Sequence, residues 1–99
     1  MIRHIVMFSA KNKADLETIE GGLNNLTKIP GETGMAFTIE ICRNEKADQL
    51  GNDIDIVVYG EFPDIETLNK YKAHPLYEKS TSIVRPLREL RFAADIKAA

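Results

Sequence analysis

The stretch Leu68-Asn69-Lys70-Tyr71-Lys72-Ala73-His74-Pro75-Leu76-Tyr77 decides how this 99-residue chain is read. Proline has no amide hydrogen to donate, and it pushes the residue before it out of the helical region. One helix therefore ends at His74, and a second starts at Pro75, a residue suited to a first helical turn. The corner carries one of the chain's two histidines. Tyr71 stands one turn upstream and Tyr77 just downstream. Three side chains with polar tips on apolar bodies gather at one bend.

Working upstream, Ile65, Leu68 and Tyr71 form an apolar stripe, and Asp64 after Pro63 sits where a helix N-cap belongs. Asp53 to Phe62 reads as a strand. Ile54, Ile56, Val58 and Phe62 share one face; Asp55, Val57, Tyr59 and Glu61 share the other. The charged run Arg43 to Asn52 ends in Gly51-Asn52 and reads as an exposed hairpin loop. Before it, Met35 to Cys42 alternates as a second strand. Leu16, Ile19, Leu23 and Leu26 recur at helical spacing, with Asn12 or Asp15 as a start and Ile29-Pro30-Gly31 as a stop. Gly21-Gly22 inside that helix costs about 1 kcal/mol per glycine relative to alanine. That is either a tolerated weakness or, at Gly22, space left under the helix. Ile2 to Ser9 is the first strand, with His4, Val6 and Phe8 on one face and Arg3, Ile5 and Met7 on the other. Downstream of the corner, a short helix runs from Pro75 to Val84 and Arg85-Pro86 closes it. Leu87 to Ile96 is the last strand, and Lys97-Ala98-Ala99 reads as a frayed tail.

The order strand, helix, strand, strand, helix, short helix, strand predicts an α+β architecture, the ferredoxin-like split βαβ. Right-handed crossovers place the helices on one face of a four-stranded antiparallel sheet. The other face, with Ile5, Met7, Val57 and Tyr59, is left bare. Fully burying each such side chain is worth about 1.5–3 kcal/mol. A second copy packed sheet to sheet is the simplest cover, so a homodimer is expected, with Arg3, Asp55 and Glu61 at its rim.

Length and composition set the outer limits. Ninety-nine residues make one domain, 1–99, with a modest core. A hydrophobic content of 43% with 28% charged residues fits a globular protein. The net charge of −2 gives no electrostatic case for nucleic acid or an anionic membrane. Base-stacking modules on this fold use paired sheet aromatics in a basic setting, and Tyr59 is the one clear aromatic on the bare face. The single cysteine, Cys42, excludes an internal disulfide, and nothing beside it predicts an activated thiolate. A cytoplasmic location is expected. No signal peptide or membrane span is read at the N-terminus.

Several pieces of the chain resemble the stress-responsive α/β-barrel family of small dimeric ferredoxin-like domains. Arg3-His4-Ile5-Val6-Met7-Phe8 is similar to the family's opening, a histidine followed by apolar residues. Ile29-Pro30-Gly31 and Gly60-Glu61-Phe62-Pro63-Asp64 match in order. Tyr71-Lys72-Ala73-His74-Pro75 carries the Tyr-x-x-His-Pro signature. Val84-Arg85-Pro86-Leu87-Arg88-Glu89-Leu90-Arg91-Phe92-Ala93-Ala94-Asp95 resembles the close. The resemblance covers nearly the whole chain and implies a dimeric α+β barrel, with a cleft between the helices and sheet of each subunit. Relatives with known chemistry cyclise polyketides by aldol-type steps. They use a tyrosine placed as Tyr71 is and a histidine three residues after the His-Pro histidine. That later position is Tyr77 here, and a phenol with a pKa of about 10 is a poor base at neutral pH. Some relatives carry magnesium in crystals. With no carboxylate cluster to hold a metal, no metal and no cofactor is expected here.

His4, Tyr71 and His74 are the catalytic candidates, because histidine titrates near neutrality. Such a cluster beside an apolar cleft can polarise a carbonyl or take a proton from an activated carbon. Val6, Phe8, Gly22, Val58, Tyr77 and Ile83 are expected to line the cleft. The plainer alternative is that His74 caps the next helix and His4 bonds a backbone carbonyl. Asp55, Glu61, Arg91 and Asp95 read as interface or rim charges. Three functions fit: a dimeric domain that binds a small apolar or aromatic molecule with weak acid–base, cyclase-like catalysis; a cofactor-free monooxygenase; or a stress-related structural oligomer without catalysis.

Overall fold

The most apolar strand lies at the centre. In a computed structural model that describes residues 1–48, 50 and 52–98, Ile2–Ala10 forms β1, paired on both sides. The elements that follow are α1 (Leu16–Leu23), α2 (Ile29–Thr33), β2 (Thr38–Arg43), β3 (Ile56–Phe62), α3 (Ile65–Lys72), α4 (Pro75–Val84) and β4 (Arg88–Lys97). The sheet has four strands in the order β2-β3-β1-β4. Every neighbouring pair is antiparallel, which is the ferredoxin-like arrangement. Gly51 of the expected hairpin turn and Ala99 of the expected tail lie outside the described residues. Lys97 is the last residue of β4 rather than part of a tail.

Strand alternation sorts β1 into a helix-side face and a bare face. Val6 and Phe8 on the helix side join Ile56, Val58, Phe62, Leu68, Tyr71 and Val84 in one core. On the other side Ile5, Met7, Val57 and Tyr59 are only partly buried. Across β1, Met7 pairs with Phe92 and Arg3 with Ile96. Phe92 is 53% exposed and Ile96 49%, so this face is more apolar than the first three strands alone suggested.

Three local expectations are corrected. First, Ile29-Pro30-Gly31 does not stop the helical segment. A 3-10 turn, Asn24–Lys28, links α1 to α2, and Pro30 sits in the first turn of α2, where its missing amide hydrogen costs nothing. The stop is Gly34, at φ +67°, the left-handed C-cap that glycine adopts freely. Second, there is no space under Gly22. A Cβ there would lie 2.7 Å from Ile83 Cγ2 and 3.3 Å from Val84 Cγ2. The glycine is what lets α1 and α4 close on each other.

The third correction concerns Asp55, which is not a rim charge of the bare sheet face. It lies just before β3 and is 4% exposed. Its carboxylate accepts from the Ala10 amide at 2.9 Å and from Lys13 and Lys46 at 2.6 and 2.7 Å. Although burial opposes ionisation, hydrogen bonds from Lys13, Lys46 and Ala10 hold its pKa down to about 2. A folded pKa below the ordinary carboxylate value means the stabilisation is full above that value and is lost as pH falls toward 2. Asp55→Asn should therefore cost about 1–3 kcal/mol at neutral pH. In urea unfolding followed by circular dichroism, its deficit against wild type should shrink steadily between about pH 4 and pH 2. A deficit that does not change with pH would show that the charge plays no part.

Candidate functional site

The Tyr71–His74 corner folds as two caps. α3 is capped by Asp64, whose carboxylate accepts from the Thr67 amide at 2.8 Å. It ends at Ala73. Spacing within α3 turns Leu68 and Tyr71 toward the sheet, and both are buried. His74 takes an extended backbone and N-caps α4: its Nδ1 accepts from the Leu76 amide at 3.1 Å. Its Nε2 lies 3.8 Å from Glu32 of α2. The expected three-residue cluster is thus not assembled, because the ring that Pro75 fixes is committed to the helix end.

His4 and Tyr71 do come together, with ring centroids 6.0 Å apart and nearly perpendicular. Phe62 packs on Tyr71 at 5.1 Å and Tyr77 at 5.2 Å. His4, Tyr71 and Tyr77 close one side of a narrow, partly open cavity between sheet and helices. Val6, Phe8 and Val58 form its sheet wall, and Leu23, Leu26 and Val84 its helix wall. Tyr77, Ser80 and Thr81 reach it from α4, and Arg88 and Arg91 from β4. Of the expected lining residues, Val6, Phe8, Val58 and Tyr77 are here. Gly22 and Ile83 are not; they meet each other at the α1–α4 contact.

The partner of His4 is a side chain rather than a backbone carbonyl. Asp95 stands opposite His4 in the β1–β4 register, and its Oδ1 lies 2.5 Å from His4 Nδ1. An ionised carboxylate can only accept, so Nδ1 carries the proton and Nε2 is left with its lone pair free. Lys72 lies 3.8 Å from the other carboxylate oxygen. Burial lowers the His4 pKa below the ordinary histidine value. Asp95 pulls it up through hydrogen bond and charge, while Lys72 and Arg91 push it further down. The balance favours a neutral imidazole near pH 7, the form that accepts a proton.

Tyr71 is fully buried, and its hydroxyl is a buried polar atom with no hydrogen-bond partner. Burial, with Tyr77 adding to it, pushes its pKa far above that of an ordinary phenol. Tyr71 is therefore a hydrogen-bond donor here and not a base. Leaving a buried hydroxyl unsatisfied costs about 1–3 kcal/mol, which a carbonyl oxygen in the cavity would return. A magnesium ion does not fit this lining, which offers two guanidiniums and no carboxylate to a cation that requires oxygen ligands. Among the described residues, no group of three or more His, Cys, Asp or Glu side chains is placed to hold a metal. No helix of the described residues is long and apolar enough to cross a membrane.

The stress responsive A/B barrel domain family matches residues 2–98. The chain belongs to that family. A structure from Arabidopsis thaliana matches 100% of this chain and 96% of its own at 17% identity, with a TM-score of 0.79. A dimeric ferredoxin-like protein of unknown function from Jannaschia sp. CCS1 matches 98% of both chains at 16% identity, with a TM-score of 0.85. A protein described as an antibiotic biosynthesis monooxygenase matches 100% of this chain and 99% of its own at 12% identity, with a TM-score of 0.76. At these identities the likeness is one of fold. No curated protein matches the chain.

Proposed function

We propose that this domain acts as a homodimer, binds a small apolar or aromatic molecule in the cleft of each subunit, and moves a proton on it. His4 Nε2 takes a proton from the carbon next to a carbonyl. The Tyr71 hydroxyl donates to the carbonyl oxygen as it gains the charge of an enolate. The enolate then returns to the ketone or attacks a second carbonyl in the same molecule, the cyclase-like outcome. Asp95 fixes the tautomer of His4 and is a positioning residue. The observation that carries this reading is the buried, unpartnered Tyr71 hydroxyl beside a histidine whose other nitrogen is tied to a carboxylate. Dimeric neighbours of the same fold support the assembly. The exposed lone thiol of Cys42 suits a reducing cytoplasm.

A second reading, a cofactor-free monooxygenase, is favoured by neighbours of the same fold described as antibiotic biosynthesis monooxygenases. It needs the same first step, since a carbanion must form before dioxygen can add to it. One experiment tests both readings. The protein is incubated in deuterium oxide with small carbon acids (phenylpyruvate, benzoylacetone and an alkyl 1,3-diketone), and loss of the activated C–H signal is followed by proton NMR under air and under nitrogen. Exchange at least about tenfold faster than with buffer alone is expected for one or more of them. Product that appears only under air would favour the monooxygenase. If no compound exchanges faster, the acid–base reading fails.

A further inference from the structure

Two cations at the cavity are unexplained by the proton-transfer reading. Arg88 and Arg91 both line it. They are three residues apart on β4, and a regular strand would send them to opposite faces. The register shows how both arrive. Phe8 pairs with Arg91 and Ala10 with Arg88, so two steps along β1 match three along β4. That is a β-bulge, and Ser9 Oγ holds it by accepting from the Leu90 amide at 3.0 Å. Bulges next to active sites commonly re-aim a side chain. No carboxylate among the described residues forms an ion pair with either guanidinium. Burial and the neighbouring charges of Arg91 and Arg85 act against the Arg88 cation. Two like charges gathered at a cavity that no carboxylate lines leave a site for an anion.

Resting on the cleft reading above, we infer that the ligand is an amphipathic anion: an apolar or aromatic body in the cavity and a carboxylate or phosphate held between Arg88 and Arg91. A guanidinium donates two parallel hydrogen bonds to either oxyanion. The geometry also orders the ligand. Its charged end lies toward β4, and its reactive carbonyl lies toward Tyr71 and His4. The class is therefore keto acids or their phosphate counterparts, not neutral ketones.

The test is isothermal titration of the dimer with phenylpyruvate, its methyl ester and benzyl phosphate. An anion is expected to bind at least about tenfold more tightly than the ester, a preference that weakens with added salt. Whether phenylpyruvate or benzyl phosphate binds better identifies the headgroup. Arg88→Gln and Arg91→Gln should each erase most of the preference, by weakening the anions far more than the ester. If acid and ester bind equally, the inference is overturned and the cleft reading stands. If none of the three binds at millimolar concentration, the inference falls with the cleft reading. Loss of the dimer in Arg91→Gln, whose parent side chain is exposed, would make the guanidiniums interface groups and overturn it as well.

Discussion

Val57→Lys is expected to leave a protein that no longer sediments as a dimer at micromolar concentration. Val57 lies mid-sheet on the bare face, opposite Met7 on one side and Cys42 on the other. Tyr59 and Ile5 form the next row on that face, and Phe92 lies beyond Met7 in the row of Val57. Covering such side chains is worth about 1.5–3 kcal/mol each. A two-fold axis presents every one of them twice, so each substitution is also counted twice. A lysine that loses water without a partner costs several kcal/mol. Even about 3 kcal/mol per dimer raises the dissociation constant roughly a hundredfold. Glu40, opposite Tyr59 on the edge strand, is the carboxylate nearest the introduced ammonium, and an exposed ion pair of that kind returns only about 0.2–1 kcal/mol. Phe92→Glu is the companion variant: Phe92 is 53% exposed, so its replacement should spare the subunit's fold. Sedimentation equilibrium decides. A wild-type protein that runs as a folded monomer would overturn the dimer, and two variants that remain dimers would mean that another surface forms it.

The fold was legible because alternation and punctuation agree along the chain. Period-two patterns place β1 and β3, Asp64 marks the start of α3, and Pro75 the start of α4. Half of the site was legible for the same reason: His4 shares its strand face with Val6 and Phe8, and that face meets Tyr71. The misses have physical causes. His74 was read as a reacting group because it stands beside Tyr71, but an extended residue before a proline aims its ring at the free amides of the next helix. Asp95 and Arg91 alternate with Phe92 and Ile96, so their shared face was readable. Which residue of β1 they meet was not, because register depends on pairing between distant segments. Arg88 was beyond reach of any parity argument, since a bulge breaks the period of two. Gly22 was misread because the helix it touches, α4, is named only by tertiary packing.

The contrast between Tyr71→Phe and His74→Ala is expected to separate chemistry from folding at the corner. Tyr71→Phe removes a hydroxyl that has no partner, so the folded protein should be no less stable than wild type. The same change removes the donor to the enolate oxygen and should slow carbon-acid exchange by about 10²–10³-fold. His74→Ala loses the N-cap of α4 and should cost about 1 kcal/mol of stability with exchange little changed. His4→Gln removes the base and should cost about 10²–10⁴-fold in rate. The pH profile ties that loss to the named nitrogen. Because burial lowers the His4 pKa, the wild-type rate should hold down to below pH 6.5 and fall only as the folded imidazole protonates. Asp95 raises that pKa by hydrogen bond and charge, so Asp95→Asn should move the acid limb further down while lowering the plateau, because the tautomer is no longer fixed. Thermal unfolding and deuterium exchange on the four variants read both axes. Should Tyr71→Phe keep its exchange rate and lose stability, the phenol is a packing group and does not donate to the enolate oxygen.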